Sequence, residues 1–412
     1  MEKDFKVKLK KWFSNIGPGP FVAAAFIGPG TVTLCSIAGL QFGYELLWAL
    51  VLSIIATLIL QEMSARIGII SKKNIAELIR EEITNSNLKK IVIFLILSAI
   101  VIGSAAYEAG NISGGVLGFE TIFGQKQLSL YGLNINIFSF IIGILAFLLL
   151  YLGNYKVLEK SLIALVLAMS LSFISTALIT KPDFIDLFKG LLIPNIPKGG
   201  ILLIIGLIGT TVVPYNLFLH SSLVSVKWKK KTDLSYARFD TLISIILGGI
   251  ISICIVICSA SIEIESINNA SDLAKGIEPL YGLWAKYILA IGLFSAGLTS
   301  AVTAPLAAAY VAAGCLGWSS EMKSLKFRIV WISIILIGVI SSSSGFKSIE
   351  IIKFAQITNG ILLPIIAVFL IWIANKKSIL GKFKNNLLNN FAALLILLIT
   401  LVLTIKSIVA LL

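Results

Sequence analysis

The chain has 412 residues, 58% of them hydrophobic and 13% charged, with a mean hydropathy of +0.98. Soluble domains average about 45–50% apolar and about 25% charged residues, so a soluble enzyme, a disordered tail and a nucleic-acid-binding module are all excluded. The net charge of +14 fits basic residues at the faces of a polytopic membrane protein.

A helix crosses about 30 Å of hydrocarbon with about 20 residues. Apolar runs of that length number eleven, at 17–38, 43–62, 90–113, 136–153, 157–178, 198–225, 240–261, 284–314, 328–343, 349–373 and 388–411. The first follows five lysines and carries Ala23-Ala24-Ala25, as a signal peptide does. A second span follows directly, so the run is read as the first helix. The runs are continuous and do not alternate, which favours helices over barrel strands. No long linker interrupts them, and the chain reads as one all-α membrane domain over 1–412. With the N-terminus placed inside, 25 of the 34 Lys and Arg fall on inner connections and 6 on outer ones. That bias predicts a cytoplasmic N-terminus and, after eleven spans, an outside C-terminus; the expected location is the cell (plasma) membrane.

Two spans carry proline at mid-depth. The first reads Gly28-Pro29-Gly30-Thr31 near its middle; the sixth has Gly209-Thr210 and then Pro214-Tyr215-Asn216. Proline removes a donor and clashes with the carbonyl four residues back. Such a break is tolerated in lipid only where the freed groups face protein, a cavity or a ligand. The breaks head two five-span halves, 17–178 and 198–373, and an odd number of spans per half inverts the second; the helix at 388–411 is extra. Paired breaks in inverted halves point to a substrate site at the midplane of a secondary transporter.

At this point the residues resemble the NRAMP family of proton-coupled divalent-metal transporters. The likeness runs through Ala38-Gly39-Leu40-Gln41-Phe42-Gly43-Tyr44 with Leu46-Leu47-Trp48, and through Pro214 with Asn216-Leu217-Phe218-Leu219-His220-Ser221-Ser222-Leu223. Glu108, Gln356 and Arg328 also fall where the family carries Glu, Gln and a basic residue. The resemblance implies a LeuT-type fold of eleven helices in an inverted 5+5 repeat, with helices 1 and 6 broken. It also implies alternating access and uptake driven by an ion gradient. The departures are specific. The metal-binding DPGN of span 1 is here Gly28-Pro29-Gly30-Thr31. The Ala and Met before the span-6 proline are Thr210 and Val213, the following His is Tyr215, and a span-3 Asp is Ala105.

The substrate-binding candidates are therefore Gly28, Gly30, Thr31, Gly209, Thr210, Val213, Tyr215 and Gln356, which offer hydroxyls, a phenol, an amide and freed carbonyls but no carboxylate. A dehydrated divalent ion needs anionic ligands in a low-dielectric interior. Three readings follow: a divalent cation that keeps much of its water, as Mg does; a small organic solute or anion at a helix N-terminus; or a sensor without flux. Glu108 and His220, ionisable inside spans, are proton-pathway candidates, and the resemblance adds Arg328. Thr299, Ser300 and Thr303 are weaker candidates for a polar lining on span 8. Cys254 and Cys258 share a helix face but have no third ligand beside them, so they read as packing residues. The metal ligands and the oligomeric state stay open. Lys227-Trp228-Lys229-Lys230-Lys231 reads as a lipid-headgroup anchor, with no nucleic-acid partner implied. No phosphate loop, nucleophile triad or zinc spacing appears, so neither an enzyme nor a cofactor is expected.

Overall fold

The computed structural model describes residues 27–130, 133–153 and 156–412. Its helices are α1 (Pro29–Phe42), α2 (Leu47–Ser71), α3 (Ile75–Glu82), α4 (Ser86–Phe123), α5 (Ile137–Leu152), α6 (Lys156–Ile179) and α7 (Phe184–Leu192). They continue as α8 (Ile201–Thr211), α9 (Pro214–Lys227), α10 (Leu234–Ala260), α11 (Ala285–Leu316), α12 (Leu325–Ser342), α13 (Ser348–Ala374) and α14 (Leu387–Leu411), with short helical turns between some of them. A small antiparallel hairpin, β1 (Gln127–Leu130) and β2 (Leu133–Asn136), joins α4 to α5 with Gln127 opposite Asn136.

Among the described residues nine segments are long and apolar enough to cross a membrane. The shorter α5, and α1 as the described part of the first run, complete the eleven spans; α8 and α9 together form the sixth. The third span extends to Phe123, well past the apolar run that ends at 113. Its small residues interrupt the hydropathy signal there because they serve contact instead. A Cβ at Gly118 would strike the Ala290 carbonyl, and one at Gly297 would strike the backbone of Asn111 and Gly115. Two short helices, α3 and α7, lie between spans and have no counterpart among the apolar runs.

Contacts between connections support the crossing count. If each span crosses once, the 1–2, 3–4, 5–6, 7–8 and 9–10 connections share one face and the even-numbered links share the other. Trp48 Nε1 donates to the Asn195 carbonyl (2.8 Å) and Lys347 reaches Asn268 (3.5 Å), all on the first face. On the second, lysine-rich face, Lys72 Nζ donates to the Trp228 carbonyl (3.0 Å) and Lys376 pairs with Glu82 (3.3 Å). Every pair joins connections of the same parity.

The lysine-rich face also holds a buried cation. Arg66, near the end of α2, donates to the Phe383 carbonyl (2.6 Å), Asn385 Oδ1 (2.7 Å) and Glu62 Oε2 (3.0 Å). Arg238 at the start of α10 pairs with the other Glu62 oxygen at 2.7 Å. A buried charge needs such partners, because desolvation costs several kcal/mol unless hydrogen bonds replace water. Arg66→Ala should therefore cost about 3 kcal/mol and clearly lower the thermal midpoint in detergent. Arg238, half exposed, should cost under about 1 kcal/mol when changed to Ala; equal effects of the two would contradict this assignment.

Candidate functional site

The sixth span breaks where its proline demands. α8 ends at Thr211, Val212 (φ −95°, ψ 78°) and Val213 (φ −81°, ψ 118°) leave the helical region, and α9 restarts with Pro214 in its first turn. Proline disfavours a helical residue before it, which places Val213 in extended backbone. Val212 N still closes on the Ile208 carbonyl at 2.8 Å. Pro214 has no N–H to offer Thr210, so the carbonyls of Gly209, Thr210 and Thr211 form the unclosed end of α8. Gly209 and Thr210 thus lie in the last helical turn, and the irregular residues are Val212 and Val213.

The first span shows the matching half. α1 starts with Pro29 in its first turn after an extended Gly28 (φ −85°, ψ 177°), and it has 14 residues, as α9 has. Residues 17–26 of that run lie outside the described residues. Counting crossings, α1 and α9 leave the break region toward opposite faces, as an inverted repeat requires.

The two breaks touch. Thr31 Oγ1 and Thr210 Oγ1 share a hydrogen bond of 2.8 Å. Gln356 on α13 lies against both: a Cβ on Gly30 would collide with its side-chain amide, and one on Gly209 with its carbonyl and the Gly360 amide. Gly114 on α4 leaves room for the Pro29 ring in the same way. Tyr215, the second residue of α9, meets Tyr107 of α4 edge to face, with centroids 5.3 Å apart and planes at 72°. Thr31, Thr210, Val213, Tyr215 and Gln356 are all at most 2% exposed. The structure therefore brings Gly30, Thr31, Gly209, Thr210 and Gln356 together at one buried junction of spans 1, 6 and 10, with Gly28 and Val213 buried beside it in the chain and Tyr215 packed on Tyr107 of span 3.

The proton-pathway candidates are more scattered. Glu108 is fully buried on α4, where Asn111 Nδ2 donates to Oε2 at 3.5 Å and Oε1 has no hydrogen-bond partner among the described residues. Its stem packs where Gly338 of α12 leaves space. His220 on α9 sits 3.3 Å from Thr241 Oγ1 through Nε2, while Nδ1 has no partner among the described residues. Arg328 is not brought to either. Its Nε donates to the Met322 carbonyl (3.2 Å) and its guanidinium covers the Tyr151 ring (4.7 Å). It precedes Gly338 by ten residues, about 15 Å along a helix. On α11, Thr299 and Thr303 bond back to their own helix, and Ser300 Oγ has no partner among the described residues.

Several buried polar groups escaped the sequence reading as site residues. Asn359 has no hydrogen-bond partner for either amide atom, and Asn216 Nδ2 and Ser104 Oγ likewise have none among the described residues. Asn359 follows Gln356 by three residues and so shares its helix face, the signal that could have found it. Unpaired buried groups cost about 1–3 kcal/mol each unless water or another polar partner answers them. Among the described residues no group of three or more His, Cys, Asp or Glu could hold a metal ion.

The profile of the Natural resistance-associated macrophage protein-like (Nramp) family matches residues 19–410. The chain belongs to the Nramp family. Its relatives include the metal transporter nramp1 homolog of Dictyostelium discoideum, 29% identical over 97% of this chain and 76% of that protein. The divalent metal cation transporter MntH of Yersinia pestis is 27% identical over 92% and 89%. Among solved structures, the Eremococcus coleocola manganese transporter superposes with a TM-score of 0.75 at 18% identity, covering 97% of this chain and 87% of its own. Mhp1, a nucleobase-cation-symport-1 family transporter, gives 0.53 at 13% identity, covering 94% and 91%. This Nramp protein is thus a multi-pass membrane protein of the LeuT-type fold and not an enzyme.

The glycine contacts make a graded prediction. A side chain at Gly30 meets the movable end of Gln356, whereas one at Gly209 meets fixed backbone. Gly209→Ala should lower the thermal midpoint in detergent markedly, by about 1–3 kcal/mol in stability. Gly30→Ala should be milder and should be relieved by adding Gln356→Ala. Equal damage from both, or no relief in the double variant, would contradict the packing described.

Proposed function

We propose that this Nramp protein moves a divalent cation across the membrane by alternating access, and that the cation keeps much of its hydration shell, as Mg does. The observation that carries the reading is the junction of the two breaks. Hydroxyls of Thr31 and Thr210, the Gln356 amide and the carbonyl end of α8 meet there, with neither acid nor thioether among them. Neutral oxygens compensate poorly for stripping a divalent ion in a low-dielectric interior, but they hydrogen-bond its water ligands well. Soft ligands that would favour Mn or Fe are missing at Val213. The divalent metal transporters among the relatives support the cation class. On this reading Glu108 and His220 carry protons, the lysine-rich face is cytoplasmic, transport runs inward across the plasma membrane, and the N-terminus lies inside.

A second reading has its own support. α1 begins at the junction with Pro29 and Gly30, so its positive helix end faces the site, and its first turn holds no acidic residue. A small carboxylate would be held there by backbone amides.

Flux into liposomes separates the two. Uptake of Mg and Mn should agree within about tenfold, since no soft ligand selects between them. Gly28→Asp combined with Val213→Met should shift the preference toward Mn. Native Mn uptake more than about a hundredfold faster than Mg would overturn the hydrated-ion reading, and carboxylate uptake without ion uptake would establish the second. In the same assay Glu108→Gln should flatten the pH dependence of flux; an unchanged profile removes Glu108 from proton movement.

A further inference from the structure

We propose that α7 lies in the headgroup boundary of the bilayer, with Phe184, Ile185, Phe188 and Leu192 inserted among lipid acyl chains, and moors the turn between spans 1 and 2 to the membrane. The inference concerns a lipid surface and is independent of the cargo.

The helix divides into three arcs. At 100° per residue, Leu187, Gly190 and Leu191 occupy one sector, Phe184, Phe188, Leu192 and Ile185 the next, and Asp186 with Lys189 the third. The first sector faces protein. Gly190 is buried, and a Cβ there would strike the Tyr44 carbonyl; Leu187 and Leu191 pack against the main core. The third is polar, with Lys189 and Asp186 paired at 3.0 Å. The second is apolar and open: Phe184 is 67% exposed, Phe188 58% and Leu192 74%.

Two further observations fix what covers that sector. It follows α6 closely in the chain: that span ends at Ile179, with Leu178 and Ile179 exposed, only a few residues before Phe184. The helix also has a definite start, because Asp183 Oδ1 accepts from the amides of Ile185 and Asp186, so the arcs hold their orientation. Protein on one side, water on another and apolar side chains on the third is the arrangement of an interfacial helix. Lys189 lies beside the apolar sector and can extend its charge to the headgroups. The mooring runs through Gly190 against Tyr44, through Asn195, whose side chain donates to Glu45 (2.8 Å), and through Trp48, which donates to the Asn195 carbonyl.

Nitroxide labels at Phe188→Cys and Lys189→Cys, in full-length protein reconstituted in phosphatidylcholine vesicles, test the placement by power saturation. The label at 188 should favour oxygen over a water-soluble nickel chelate by several-fold more than the label at 189. A label at 188 that sees the nickel chelate as readily as 189 does would put the apolar sector in water. Shielding of 188 from both reagents would mean a protein partner covers it. Either result overturns the proposal. As a second readout, Phe188→Trp should lose fluorescence to brominated phosphatidylcholine beyond the loss shown by the parent protein, and equal loss would also overturn it.

Discussion

A polypeptide inside hydrocarbon has to satisfy its own backbone, and the sixth span of this protein does not. Pro214 ends the i to i−4 ladder at mid-depth and leaves the last carbonyls of α8 without helical partners. Such an end can persist only where neighbouring helices wrap it away from lipid. Val212, Val213, Pro214 and Tyr215 are all buried, and the helices around them approach through glycines that admit almost no other residue. Gly209 and Gly360 let α8 and α13 meet backbone to backbone, and Gly114 accepts Pro29. The break dictates the small residues around it, and these dictate how spans 1, 3, 6 and 10 converge.

That convergence also sets the chemistry. A helix end supplies partial charge without a formal ion, and this junction adds hydroxyls and an amide where a dehydrated transition ion would call for carboxylate or sulfur. The Nramp fold is kept, and the groups shown to meet at this junction, the Thr31 and Thr210 hydroxyls and the Gln356 amide, include neither acid nor thioether. Membership of the family and identity of the cargo rest on different residues, since fold leaves function to the site.

Much of this was legible in the chain. Eleven spans, their parity and the position of the span-6 break follow from run length, proline and lysine placement. α3 and α7 were not legible, because short amphipathic helices leave no long apolar run. Arg66 shows a deeper limit. In the sequence it is one of the 25 basic residues on inner connections, yet it is buried against a carbonyl 317 residues away in the chain, and no local pattern encodes such a partner. The unpaired Asn359 and Ser104 were missed for the same reason: polarity is visible in sequence, but whether a neighbour answers it is a property of packing.

The central claim is that the two broken spans hold their cargo through neutral oxygens, and direct binding tests it most closely. Calorimetry of Mg and Mn titrated into purified protein should give affinities within about tenfold of each other. Both should weaken when Thr210 is changed to Val, which deletes the hydroxyl shared with Thr31 while keeping the side chain's shape. Mn bound more than about a hundredfold tighter than Mg, with no response to Thr210→Val, would contradict the account.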